Sequence, residues 1–231
     1  MLRLNGGSPA EVKMSLRVRC LFVLSALALF LVLMVASAAV YPGGTYHDRT
    51  YPRHHFWYNY LCDLLHEHAL GGGRNVLGAR LATAGMLLLV VLMAVYWTLA
   101  PAFLPSRPVL GRVCSVVGVI SSVGLIAVAL TPSDRLPKFH TAAIVLATLP
   151  GLVAAAAVIV GRTFEPDVTV SIRVLGAATL LFVVATAGVF VVHTWFGGGF
   201  GRALPAFQRV AALCTVAWLG TTTFMLLRSG A

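Results

Sequence analysis

The stretch HTAAIVLATLPGLVAAAAVIV (residues 140–160), the turn GRTFEPD (161–167) and the stretch IRVLGAATLLFVVATAGVFVVH (172–193) decide the fold. The apolar runs Thr141 to Val160 and Ile172 to Val192 are each about 20 residues, long enough to cross a hydrocarbon core of roughly 30 Å. A short polar turn between them predicts an antiparallel hairpin. His140 begins the first run and His193 ends the second, so both histidines are expected on the side opposite that turn.

Working outward, four more apolar runs appear: Cys20 to Val40, Val76 to Leu99, Val113 to Leu130 and Val210 to Leu227. Helices are the spanning element, because each run must satisfy its own backbone hydrogen bonds in lipid. The expected fold is therefore all-α, a bundle of six transmembrane helices. Residues 1–19 are expected to form a cytoplasmic tail and residues 20–228 the membrane domain, with a long first loop over 41–75. Pro and Gly mark most of the connections: Tyr41-Pro42-Gly43-Gly44, Gly71-Gly72-Gly73, Pro101 to Pro108, Thr131-Pro132, Glu165-Pro166 and Gly197-Gly198-Gly199.

Composition agrees. The 231 residues are 59% hydrophobic and 10% charged, with a mean hydropathy of +0.90, whereas soluble domains carry about 25% charged residues. The 17 Lys and Arg against 7 acids give a formal charge of +10. These bases are scattered over termini and connections, which suits headgroup anchors and anionic lipid and argues against a nucleic-acid partner. Cys20, Cys62, Cys114 and Cys214 include no CxxC pair and form no disulfide framework.

Lys13, Arg17 and Arg19 precede the first run, which ends in Ala36-Ser37-Ala38, a pattern resembling a signal-peptidase site. The run is longer than a typical signal core and more spans follow, so an uncleaved first helix is the preferred reading. The N-terminal basic cluster, Arg3 included, orients that helix with both termini in the cytoplasm and loops one, three and five outside. Gly118 with Ser122, and Gly151 with Ala155, have the small-residue spacing of closely packed helices. Pro150 is expected to kink its helix.

The polar residues concentrate on the predicted outer side. Loop one is aromatic and holds His47, His54, His55, His66 and His68. Its segment Phe56 to His68 reads as an interfacial helix, with Asn59, Asp63 and His66 on one face. In loop three, Ser133 or Asp134 is placed to cap the following helix. The candidate outer-face site comprises Asn59, Asp63, His66, Asp134, His140, His193 and Arg209, with Glu67 and His68 nearby.

Two chemistries fit that inventory. The residues can engage a lipid headgroup, with membrane lipids as the partner and no cofactor. Alternatively, His140, His193 and a carboxylate such as Asp63 or Asp134 can hold zinc and activate water for lipid hydrolysis. Neither HExxH nor GxSxG occurs. Nor does any Asp, Glu, Lys or His stand in the middle third of a span, which argues against an ion-coupled carrier.

The order of Tyr41-Pro42-Gly43-Gly44, Asn59-Tyr60-Leu61-Cys62-Asp63-Leu64, Pro132-x-Asp134, Phe139-His140 and Gln208-Arg209 before Trp218 resembles the prokaryotic six-helix membrane proteins grouped as domain of unknown function 998, of the FRAG/DRAM/SFK type. That family shows Asn-x-x-Ser-Asp-Leu where this chain has Cys62. The resemblance implies the six-span topology and the plasma (inner) membrane of a prokaryote. A fainter similarity to the ceramidase and adiponectin-receptor hydrolases implies His140 and His193 as two zinc ligands.

Overall fold

A computed structural model of the chain describes residues 9–166, 168–197 and 199–229. Arg3 of the N-terminal cluster, Asp167 of the hairpin turn and Gly198 of the triple glycine lie outside them. Among the described residues there is no strand beyond an isolated bridge between His68 and Arg74. Seven α-helices follow in order: α1 (Pro9–Ala39), α2 (Val76–Trp97), α3 (Ala100–Phe103), α4 (Pro108–Leu130), α5 (Pro137–Thr163), α6 (Val170–Phe196) and α7 (Leu204–Arg228). All but the four-residue α3 are long and apolar enough to cross a membrane. The chain is a multi-pass, all-helical membrane protein.

The helix ends correct the sequence boundaries. Helix α1 starts at Pro9 rather than Cys20, so part of the expected tail is helical. Helix α4 starts at Pro108, where a proline supplies its own helical φ and no N–H is needed. The connection Pro101 to Pro108 is not a plain loop. Leu99, Phe103 and Leu104 around α3 are almost fully buried and plug one end of the bundle.

Close packing follows the small residues. A Cβ on Gly118 would meet the Trp97 ring at 2.0 Å, and one on Gly124 would meet the Ala147 backbone at 2.8 Å. These absences of side chain let α4 lie against α2 and α5. Pro150 sits inside α5, and one turn away Ser121 Oγ of α4 donates to Ala147 O at 2.6 Å. Ser122 Oγ bonds back to Gly118 O at 3.0 Å. Helix α5 thus packs tightly on α4 and only loosely on α6. Helix α6 buries little beyond Ile172, Gly176 and Thr179.

Loops one, three and five meet at one end of the bundle. Tyr60 Oη reaches Gly201 O at 3.4 Å, Leu61 N donates to Gln208 Oε1 at 2.9 Å, and Arg135 pairs with Glu67. The connections at the other end also meet, through Ser106 with Glu165 and Arg162 with Phe103 O. The hairpin geometry read from the sequence therefore holds, with His140 and His193 at the loop-one end.

Candidate functional site

Loop one is built as a knot rather than the predicted interfacial helix. Gly43 and Gly44 take φ values of 126° and 88°, which residues with a Cβ rarely adopt. Gly44 N donates to Tyr51 O at 2.7 Å and Gly71 N to Gly43 O at 3.0 Å. A Cβ on Gly44 would stand 2.0 Å from Gly71 N. Only a short 3₁₀ turn, Cys62–Leu65, forms between Phe56 and His68. The many backbone contacts of the glycine knot outcompete a helix here.

Asn59 and Asp63 tie this knot together. Asn59 is fully buried; its Nδ2 donates to Gly44 O at 3.0 Å, and its Oδ1 accepts from His55 N at 2.8 Å. Asp63, 1% exposed, accepts from Tyr60 N at 2.8 Å, Asn59 Nδ2 at 3.3 Å and Tyr46 Oη at 3.2 Å. Burial pushes its carboxyl up to about 6, against the opposing pull of those hydrogen bonds and the Arg209 charge. The motif residues Tyr41–Gly44 and Asn59–Asp63 are one frame.

Arg209 moors that frame to α7. Its Nε donates to Phe56 O at 2.8 Å and its Nη2 to Asn59 O at 3.1 Å and His54 Nε2 at 3.2 Å, with the guanidinium over the Phe56 ring. Burial, with the Arg209 charge, holds His54 down to about 4, so its imidazole stays neutral and can accept.

Beneath loop one, between α5, α6 and α7, lies a cavity of about 1380 Å³. Its upper wall is polar: Tyr46, His47, Tyr58, Tyr60, Cys62, Asp63, Ser133, His140, His193, Arg202 and Gln208. Its lower wall is mostly apolar, with Ile144, Val145, Leu149, Val183, Ala187, Phe190 and Ala211 beside Thr148 and Thr186; the Thr186 hydroxyl is turned back onto Phe182 O at 2.7 Å. A second hollow of about 560 Å³ runs along α5 and includes Leu146 and Pro150. It shares Thr141, Val145, Leu149 and Trp195 with the large cavity. The loose α5–α6 contact is thus also the direction in which the cavity approaches the lipid-facing surface.

The seven candidates divide. Asp63, His140 and His193 line the cavity. Asn59 and Arg209 do not; they hold the roof. Asp134 is exposed and outside the lining. His66 does not share a face with Asn59 and Asp63, because the expected helix is absent. It is buried behind Ser133 instead, with Nε2 2.7 Å from Ser133 Oγ. Neither Ser133 nor Asp134 caps α5, whose N-cap position is Leu136 with no side-chain bond. Tyr46 and Arg202 escaped sequence reading, since nothing in their spacing marks them, and Tyr60 entered it only as a neighbour within the Asn59–Leu64 motif.

His140 Nδ1 lies 2.6 Å from Thr131 O. A carbonyl can only accept, so Nδ1 carries the proton and Nε2 keeps its lone pair. Metal-binding histidines often use this arrangement. Among the described residues, however, no three His, Cys, Asp or Glu side chains stand close enough to hold a metal ion. The carboxylate expected to complete the set is in the loop frame in the case of Asp63 and exposed in the case of Asp134. The zinc reading therefore lacks its third ligand. Burial pushes the Cys62 thiol up to about 12, which keeps it protonated in the cavity wall.

No family model, no curated protein and no solved structure matches this chain.

Proposed function

We propose that this chain binds a membrane lipid at its extracytoplasmic face, with the headgroup under loop one and the hydrocarbon between α5, α6 and α7. The observation that carries this reading is the two-part lining of one cavity. Hydroxyls, a carboxyl, imidazoles and a guanidinium line the part under loop one, and mostly aliphatic side chains line the part below. At about 1380 Å³ the space exceeds the roughly 300–1,000 Å³ of ordinary small-molecule pockets. The adjoining hollow along α5 gives a chain a way in from the bilayer.

The test is capture of a photoactivatable phospholipid by the full chain in vesicles, with cross-linked residues mapped by peptide mass. Adducts are expected on α5 and α6 around Val145, Leu149 and Ala187. Ala187→Trp fills the apolar part and is expected to cut capture at least tenfold while the protein still folds. Equal capture by Ala187→Trp, or adducts confined to the outer surface of α1 and α2, would overturn the reading.

A further inference from the structure

We propose that Ser133 and His66 form a nucleophile–base pair that cleaves or transfers an acyl ester of a lipid held in this cavity. The inference rests on the lipid reading above and adds a reaction to it. It stands on the 2.7 Å contact between His66 Nε2 and Ser133 Oγ, and on where the two residues sit. Ser133 is half-buried and lines the cavity, and His66, 4% exposed, is packed behind it. A serine hydroxyl that faces the ligand and touches an imidazole nitrogen is the pairing that acyl transfer to serine uses, since that nitrogen must reach both the hydroxyl and the leaving oxygen.

The contact is braced. His66 O accepts from Asn75 Nδ2 at 2.9 Å, which fixes the segment of loop one that carries it. The neighbouring residues Glu67 and Arg135 form an ion pair between the same two loops. The hydroxyl and the imidazole are therefore held from both sides before any ligand arrives, the preorganisation that makes such pairs effective. Depth fits as well. Ser133 lies three residues beyond Leu130, the end of the span-length helix α4, a position in the chain that suits a glycerol ester rather than an acyl tail.

With its proton on Nδ1, His66 accepts at Nε2. Burial lowers its affinity for a second proton, with Asp134 opposing and His140 adding to the effect, so the imidazole is neutral at neutral pH and keeps a lone pair. Ser133 Oγ adds to the ester carbonyl carbon as its proton passes to His66 Nε2. The tetrahedral adduct collapses, the bond from carbon to the alcohol oxygen breaks, and the alcohol leaves with the proton from Nε2. Acyl-Ser133 remains. A water, or the hydroxyl of a second lipid, then attacks the acyl carbon and gives its proton to Nε2. Release of the fatty acid or the new ester returns that proton to Oγ. No oxidant, reductant or metal is needed for the balance.

The experiment is labelling of the purified full chain with short- and long-chain alkyl fluorophosphonates, with the adduct located by peptide mass. The expected result is a single adduct on Ser133, lost in Ser133→Ala and formed about 100-fold more slowly in His66→Asn, the scale of general-base assistance. If Ser133→Ala does not fold, Ser133→Cys must switch residue 133 from fluorophosphonate to iodoacetamide labelling, with the new reaction slowed in the His66→Asn background. No adduct at residue 133, or an adduct whose rate ignores His66, overturns the pair. Lipid capture without Ser133 labelling would overturn the pair and leave lipid binding standing. Ser133 labelling by the short-chain probe in a protein that captures no lipid would overturn lipid as the substrate.

Discussion

The two ends of the bundle hold similar kinds of residue and use them differently. At the end opposite loop one, Arg107 Nη1 donates to Gly161 O at 3.2 Å, Arg162 Nη1 to Phe103 O at 3.0 Å, and Ser106 Oγ to Glu165 Oε2 at 2.7 Å. Arg107 also lies over the Phe164 ring. Those groups close the bundle over a packed apolar plug of Leu99, Phe103 and Leu104. At the loop-one end, Asn59 and Arg209 are likewise consumed by structure, but they support a roof over a cavity. The difference teaches that polar inventory does not locate a site. What locates it is whether the helices below are in contact, as α4 and α5 are, or spread, as α5 and α6 are.

The largest effect expected of this contrast is at Gly44. Gly44→Ala forces a Cβ to 2.0 Å from Gly71 N at a φ of 88°, and should cost about 3 kcal/mol or more. The expected signature is proteolysis within loop one and loss of lipid capture while the helical content persists. A Gly44→Ala protein with unchanged melting and unchanged capture would break the idea of a rigid roof.

Next is Asp63. Its folded pKa of about 6 lies above the ordinary 3.8, so its stabilising contribution is full below about pH 4 and is lost as pH rises through 6. The loss is about 3 kcal/mol at most. Asp63→Asn removes this titration while keeping an acceptor for Tyr60 N and a partner for Tyr46. The melting temperature of the variant relative to the natural protein should therefore climb between pH 4 and pH 7.5. Tyr46, Tyr60, Cys62 and Arg209 face Asp63 and do not change between those two proteins. A constant difference across that range would show that Asp63 is ionised throughout.

The smallest effect belongs to the closed end. Glu165 is 2% exposed, and Glu165→Gln keeps an oxygen to accept from Ser106. A loss of about 1 kcal/mol is expected, with lipid capture unaltered. A drop in capture would mean that the two ends are coupled through α5.

The spans were legible because each had to satisfy one solvent, and a run of apolar residues records that solvent directly. The hairpin brought His140 and His193 to one end for the same reason. Loop one was not legible. A periodic pattern over Phe56 to His68 suggests a helix, yet the distant residues Gly44, Gly71 and Arg209 decide the backbone there, and no local window contains them. Ser133 was misread as a cap for the same reason: its partner, His66, is 67 positions away. The short helix α3 was hidden by its prolines, although the buried Leu99 and Leu104 around it are apolar.

The loose seam between α5 and α6 has a consequence for how occupancy must be counted. A ligand that enters along Pro150 and Trp195 never passes through bulk water, so the quantity that fills the cavity is its mole fraction in the leaflet. Diluting the protein–vesicle suspension leaves that quantity unchanged. Adding unrelated lipid to the same vesicles lowers it, and would empty the cavity even as the total amount of ligand in the tube stays the same.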